Sequence, residues 1–69
     1  MELKKLGQDL KKRRKVLHLK QEDVAEMGGI TIKTLHLVET GNGNPSLHTL
    51  NKIIDVLGLE LVLQIKQLV

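Results

Sequence analysis

Apolar residues recur along this 69-residue chain in four helical patterns, followed by one of a different period. Leu3, Leu6, Leu10 and Leu17 fall on one stripe of a helix over about residues 2–17, and the lysines lie off that stripe. This helix should end near His18, with Leu19 continuing the apolar series beyond it. Gln21-Glu22-Asp23 then places acidic and amide groups in the first turn of a second helix, 21–28, where the helix dipole favours them. Val24 and Met27 are expected to face inward from it, and Gly28-Gly29 ends it. Thr31 is a suitable N-cap for a third helix, 31–40, with Leu35 and Val38 at core spacing. Gly41-Asn42-Gly43-Asn44-Pro45 reads as a loop. Ser46 caps a fourth helix, 46–57, whose Leu47, Leu50, Ile53, Ile54 and Leu57 form an apolar face, and Gly58 closes it.

After Gly58 the period changes to two. Leu59, Leu61, Leu63 and Ile65 alternate with Glu60, Val62, Gln64 and Lys66, which predicts a β-strand over about 59–66 with one apolar face. No other segment alternates in this way, and a lone strand leaves its ladder groups unpaired. The expected partner is the same strand of a second copy, paired antiparallel across a two-fold axis. A fifth helix is the alternative, since Leu and Gln favour helix. The chain is therefore expected to be mainly α, with a four-helix domain over 1–58 and a C-terminal dimerising strand within 59–69.

Composition narrows what such a domain does. The chain has no Phe, Trp or Tyr, so it offers no stacking platform for unpaired bases. Cysteine is absent, which excludes a disulfide framework, a zinc knuckle and a thiol nucleophile. The net charge of +3 conceals an asymmetry. Lys4, Lys5, Lys11, Lys12, Arg13, Arg14, Lys15 and Lys20 face only Glu2 and Asp9 within the first twenty residues, whereas the remainder is acidic on balance. A polyanion would be drawn to the first segment. The basic N-terminus lacks an apolar run of signal-peptide length, and the later apolar stretches are broken by Glu60, Gln64 and Lys66. A cytoplasmic location with no membrane partner is the expectation.

Candidate catalytic and metal groupings are weak. His18, His36 and His48 lie on three different elements, with no His-x-x-x-His and no carboxylate at ligand spacing, so no metal, cofactor or catalytic residue is expected. Gly41-Asn42-Gly43 lacks the Lys-Ser/Thr of a phosphate-cradling loop. The sequence does not suggest an enzyme.

Two short helices joined by a glycine-containing turn, Gln21–Met27 and Thr31–Thr40, form a helix-turn-helix arrangement. Gln21, Val24-Ala25, Gly29-Ile30-Thr31, Leu35, Glu39, Gly41, Asn44-Pro45-Ser46, Leu50 and Leu57-Gly58 together follow a recognisable pattern. On these residues the chain resembles the lambda-repressor-like (Xre/Cro) helix-turn-helix family, without a gap from residue 3 to 58. The resemblance implies a domain that binds double-stranded DNA and lays its third helix in the major groove. Thr31, Ile32, Lys33, His36 and Leu37 would then face base edges. Lys20, Gln21, Thr34, Asn42 and Asn44 would hold phosphates at helix starts and in the loop. The family pairs the glutamate at Glu39 with an arginine of the first helix, here Arg14, which implies a structural ion pair rather than a DNA contact. The chain departs from the pattern at Lys20, where the family has Ser or Thr, and at the apolar Ile32 and Leu37.

A helix-turn-helix core followed directly by a dimerising strand also resembles HipB-type antitoxins. That resemblance implies a homodimeric, autoregulating repressor on a pseudo-palindromic operator, with a HipA-like kinase toxin as partner. The alternatives are a stand-alone or phage-type repressor without a toxin, and a protein-interaction module that keeps the fold with weak DNA binding.

Overall fold

The computed structural model describes residues 2–67 and contains four helices, α1 (Leu3–Val16), α2 (Gln21–Gly28), α3 (Ile32–Thr40) and α4 (Leu47–Val56). Their buried faces meet in one aliphatic core of Leu10, Val24, Leu35, Val38, Leu50, Ile53, Ile54 and Leu57, against which Leu6, Leu19, Ile30 and Val56 pack. α3 is held between α1 on one side and α2 on the other, and α4 closes the core from beneath α2. The third helix is thereby fixed by two neighbours while its outer face stays exposed.

All four helices end in the same way. The residue after the last full turn swings into the left-handed region, at His18, Gly29, Gly41 and Gly58. The next backbone N–H donates five residues back: Leu19 to Arg14, Ile30 to Ala25, Asn42 to Leu37 and Leu59 to Ile54. His18 occupies its position at φ 58° without the freedom of glycine. The starts differ from one another. Thr31 and Ser46 each accept the N–H of the residue three positions on, from Thr34 and Thr49, at 3.1 Å. Lys20 offers no side-chain cap to α2; instead its own N–H donates to Asp23 Oδ2 at 2.8 Å, so a carboxylate in the first turn ties the helix entrance.

Glycine decides the α1–α3 crossing. A Cβ on Gly7 would collide with the Val38 carbonyl oxygen and stand 2.7 Å from that of Glu39, both backbone atoms of α3. At the other end of the same contact, a Cβ on Gly41 would lie 2.6 Å from Lys4 Cα. The two backbones therefore touch directly, with no side chain between them.

Three expectations are corrected. The strand over about 59–66 does not form: the described residues from Leu59 onward carry no regular secondary structure, neither strand nor fifth helix. The physical reason is that a lone strand leaves its ladder groups unpaired, and no strand exists among the described residues to complete the ladder. Its apolar side chains stay in water, with Leu63 92% and Ile65 100% exposed. Met27 does not face inward but is 63% exposed. α2 turns Val24 and Ala25 to the core and sets Gly28 against α4, where a Cβ would lie 3.4 Å from the Lys52 carbonyl oxygen, and with that face inward Met27 points outward. Leu47 is also exposed, because it stands in the first turn of α4, beyond the later turns at Lys52 and Val56 that pack on α2.

Gly7→Ala tests the crossing with opposing terms. Alanine favours an α-helix over glycine by about 1 kcal/mol, but here it would force two backbones apart. A net loss of about 1–3 kcal/mol is expected in urea unfolding. A gain would mean that α1 and α3 can separate freely.

Candidate nucleic-acid interface

The most constrained polar group in the molecule lies behind α3. Glu39 and Arg14 are both buried, at 4% and 8% exposure. Arg14 Nε donates to Glu39 Oε2 at 2.6 Å and Nη2 to Oε1 at 2.9 Å, a two-pronged pair that matches the planar guanidinium to the carboxylate. Arg14 Nη1 also donates to the Leu19 carbonyl oxygen at 2.9 Å, and Gln21 Nε2 to Glu39 Oε1 at 3.0 Å. No buried side-chain polar atom among the described residues is left without a partner. One cluster therefore joins the end of α1, the turn after it, the start of α2 and the last turn of α3.

Burial pushes the Glu39 carboxyl upward. Hydrogen bonds from Arg14 and Gln21, with the positive charges of Arg14 and Lys11, outweigh that and leave it below its ordinary value. Arg14 is raised chiefly by its hydrogen bond to Glu39, against the opposing effect of burial.

In front of this cluster stands the outer face of α3. Thr31, Lys33 and His36 are exposed, Ile32 is half exposed, and Leu37 sits at the margin of exposure. Thr31 also donates its hydroxyl to Thr34 Oγ1 at 2.9 Å, so the hydroxyls of both residues are engaged at the helix entrance. Leu37 leans on the loop: Gly43 has no side chain, and a Cβ there would come within 3.3 Å of Leu37 Cβ. Thr34, Leu37 and Val38 together with Gly43, Asn44 and Pro45 line a shallow groove between helix and loop. Thr40 donates back to the His36 carbonyl oxygen at 2.9 Å, and Asn42 Nδ2 donates to Thr40 Oγ1 at 3.1 Å, which ties the loop to the helix end. Lys20, Asn42 and Asn44 are exposed beside this surface, and Thr34 is half-buried. The side-chain amide of Gln21 is already engaged by Glu39 and approaches His36 Nδ1 at 3.5 Å.

Spacing along the chain does not distinguish Arg13 from the cations around it. Arg13 Nε donates to the Leu57 carbonyl oxygen at 2.9 Å, capping the end of α4, where a positive charge suits the helix dipole. Its neighbours in the sequence are all cationic, so only the fold separates this structural arginine from the solvated lysines. Gly7 was legible in principle, as a glycine inside a helical pattern. Among the described residues no group of three His, Asp or Glu side chains could hold a metal, and no helix is long and apolar enough to cross a membrane.

A short helix, a left-handed glycine turn and a capped second helix with an exposed outer face define a helix-turn-helix protein. The chain belongs to the helix-turn-helix family HTH_3, of lambda-repressor-like type, whose family model matches residues 10–64. It is similar to the 10 kDa protein of the ImmF control region of Bacillus phage phi105, at 40% identity over 58 residues. That match takes in 84% of this chain and 64% of the phage protein, so the chain spans less than two thirds of that relative's length. It also resembles the crystal structure of the restriction-modification controller protein C.AhdI from Aeromonas hydrophila, with a TM-score of 0.80 and 34% identity, covering 84% of this chain and 88% of that one.

Removing one partner of the buried pair should cost more than removing both. Glu39→Leu is expected to lose about 3–5 kcal/mol in urea unfolding by stranding Arg14, and the Arg14→Met/Glu39→Leu double variant substantially less. Because the folded-state Glu39 value is depressed, its contribution is complete above the unfolded-state value of about 4.3 and disappears as pH falls through the lower folded-state value. Acid titration of stability in the double variant should accordingly be flatter than in the parent; equal slopes would remove Glu39 from the acid transition.

Proposed function

We propose that this chain is a DNA-binding transcription regulator of the control-protein kind, which represses as a homodimer on a pseudo-palindromic operator. The observation that carries the reading is the outer face of α3. It is braced from behind by Arg14–Glu39–Gln21 and capped by Thr31, and it leaves Lys33 and His36 exposed. A rigid helix with free donors at its exposed face is what base reading in the major groove requires.

In this reading Thr31, Ile32, Lys33, His36 and Leu37 meet base edges, with Lys33 donating to guanine O6 or N7 and Ile32 touching thymine methyls. Lys20, Thr34, Asn42, Asn44 and the backbone at Gln21 meet phosphates. The side-chain amide of Gln21 serves instead as a brace, since Glu39 holds it. The kinship with a phage control-region protein and a restriction-modification controller favours regulation of a gene region. Neither relative is described as an antitoxin, and an antitoxin role with a HipA-like kinase partner gains no support from them.

The exposed tail supplies the reason for two copies. Leu59, Leu61, Leu63 and Ile65 follow directly on α4 and leave apolar area in water, which a second subunit would cover at roughly 25 cal/mol per Å². A two-fold dimer also sets two recognition helices about 34 Å apart, one turn of B-DNA.

Fluorescence anisotropy with duplex from upstream of its own gene, run at two salt concentrations, tests the DNA reading. Affinity should fall steeply with salt, whereas a chain that fails to bind duplex even at low salt would point to a protein-interaction module. Lys33→Ala should weaken operator binding by about 1–3 kcal/mol and unrelated duplex far less; equal losses would make Lys33 a phosphate contact. Truncation after Gly58 should yield monomers by light scattering while helical circular dichroism persists, and a dimer that survives truncation would place the interface elsewhere.

A further inference from the structure

The fold sorts the cationic residues of α1 into three groups. Arg13 and Arg14 are consumed by the Leu57 carbonyl and by Glu39. Lys5 is paired with Asp9 at 2.9 Å. Lys4, Lys11, Lys12 and Lys15 remain exposed, and they are not equivalent in position. α1 meets α3 along the flank that carries Gly7 and Arg14. With about 100° per residue, Lys4 and Lys11 stand two turns apart on that same flank, and Lys15 stands one turn further on. One contact anchors this placement: Gly41 packs on Lys4 Cα, and the positive charge of Lys11 helps to hold the Glu39 carboxyl low. Lys12 lies about 100° round the helix from Lys11, on the side away from α3.

Resting on the DNA reading above, we propose that Lys4, Lys11 and Lys15 form a phosphate track on α1, on the flank that packs against the end of α3, which grips the DNA backbone beside the groove that α3 enters. The track begins beside the loop at Gly41–Asn44 and ends beside the start of α2, so it joins two places where phosphates are expected. Each lysine acts as a point charge on a flexible stem and carries no sequence information. The track therefore sets affinity and register, while α3 sets specificity. The structure separates it from a diffuse basic helix by position, because equal charges on the two flanks should have unequal effects.

The test compares single variants of equal charge change in the full chain: Lys4→Gln, Lys11→Gln and Lys15→Gln against Lys12→Gln. Glutamine keeps helix propensity, and circular dichroism melts would show that each variant folds. Affinity for the upstream duplex is measured by anisotropy across a salt series. Each of the three track variants should reduce the slope of log K against log salt by about 0.9 per subunit, about 1.8 for the bound homodimer, and Lys12→Gln should leave it close to that of the parent. Equal reductions in all four would overturn the track in favour of diffuse attraction, and unchanged slopes in the three would overturn it outright. A parent chain that binds no duplex at low salt would instead defeat the DNA reading and the track with it.

Discussion

The buried pair of Arg14 and Glu39 is the constraint on which the rest of the molecule turns. Two opposite charges leave water only when geometry and further hydrogen bonds compensate them, and here the compensation comes from four parts of the chain. α1 supplies the guanidinium, the turn after α1 supplies the Leu19 carbonyl, α2 supplies the Gln21 amide and α3 supplies the carboxylate. Moving any of these elements would leave a charge or an amide unsatisfied in the interior. The pair therefore fixes the angle of α3 to its neighbours more tightly than an aliphatic contact would.

Rigidity of that kind matters because a helix that reads base edges must present its donors within a few tenths of an ångström. In this chain the exposed face proposed to read DNA and the bracing cluster share one helix. Glu39 looks inward from the same turns whose outer side carries His36 and Thr40. The direct backbone contact at Gly7 and Gly41 complements it, since it removes the play that intervening side chains would allow. In the proposed reading, affinity and placement are divided between elements: α3 offers directed donors, and the lysines of α1 offer undirected charge.

Much of this was legible in the residues. Helix starts at Thr31 and Ser46, ends at Gly29, Gly41 and Gly58, and the inward faces of α3 and α4 all rest on local chemistry that the sequence displays. The carboxylate at Glu39, set in an apolar stretch, announces the need for a cation, although the choice of Arg14 over Arg13 came from family likeness. Less legible were features that depend on what lies opposite. Met27 has the spacing of a core residue but the close approach of α2 to α4 at Gly28 rotates it outward. Segment 59–66 has the period of a strand but no ladder within its own chain.

The sequence by itself determined where helices begin and end, which aliphatic faces are inward, and that one acidic side chain in the third helix must be neutralised. These are matters of neighbours within one turn or two, and local propensity, capping and periodicity govern them. Only the tertiary structure decided which of five consecutive cations serve the fold and which stay free. Lys11 to Lys15 are chemically alike in the sequence; Arg13 and Arg14 are distinguished because a carbonyl at the end of α4 and a carboxylate on α3 arrive beside them. The net charge of the chain is a property of its composition. How that charge is divided between fold and surface depends on long-range contacts, because Arg13 and Arg14 each need a partner that the chain brings from more than twenty residues away.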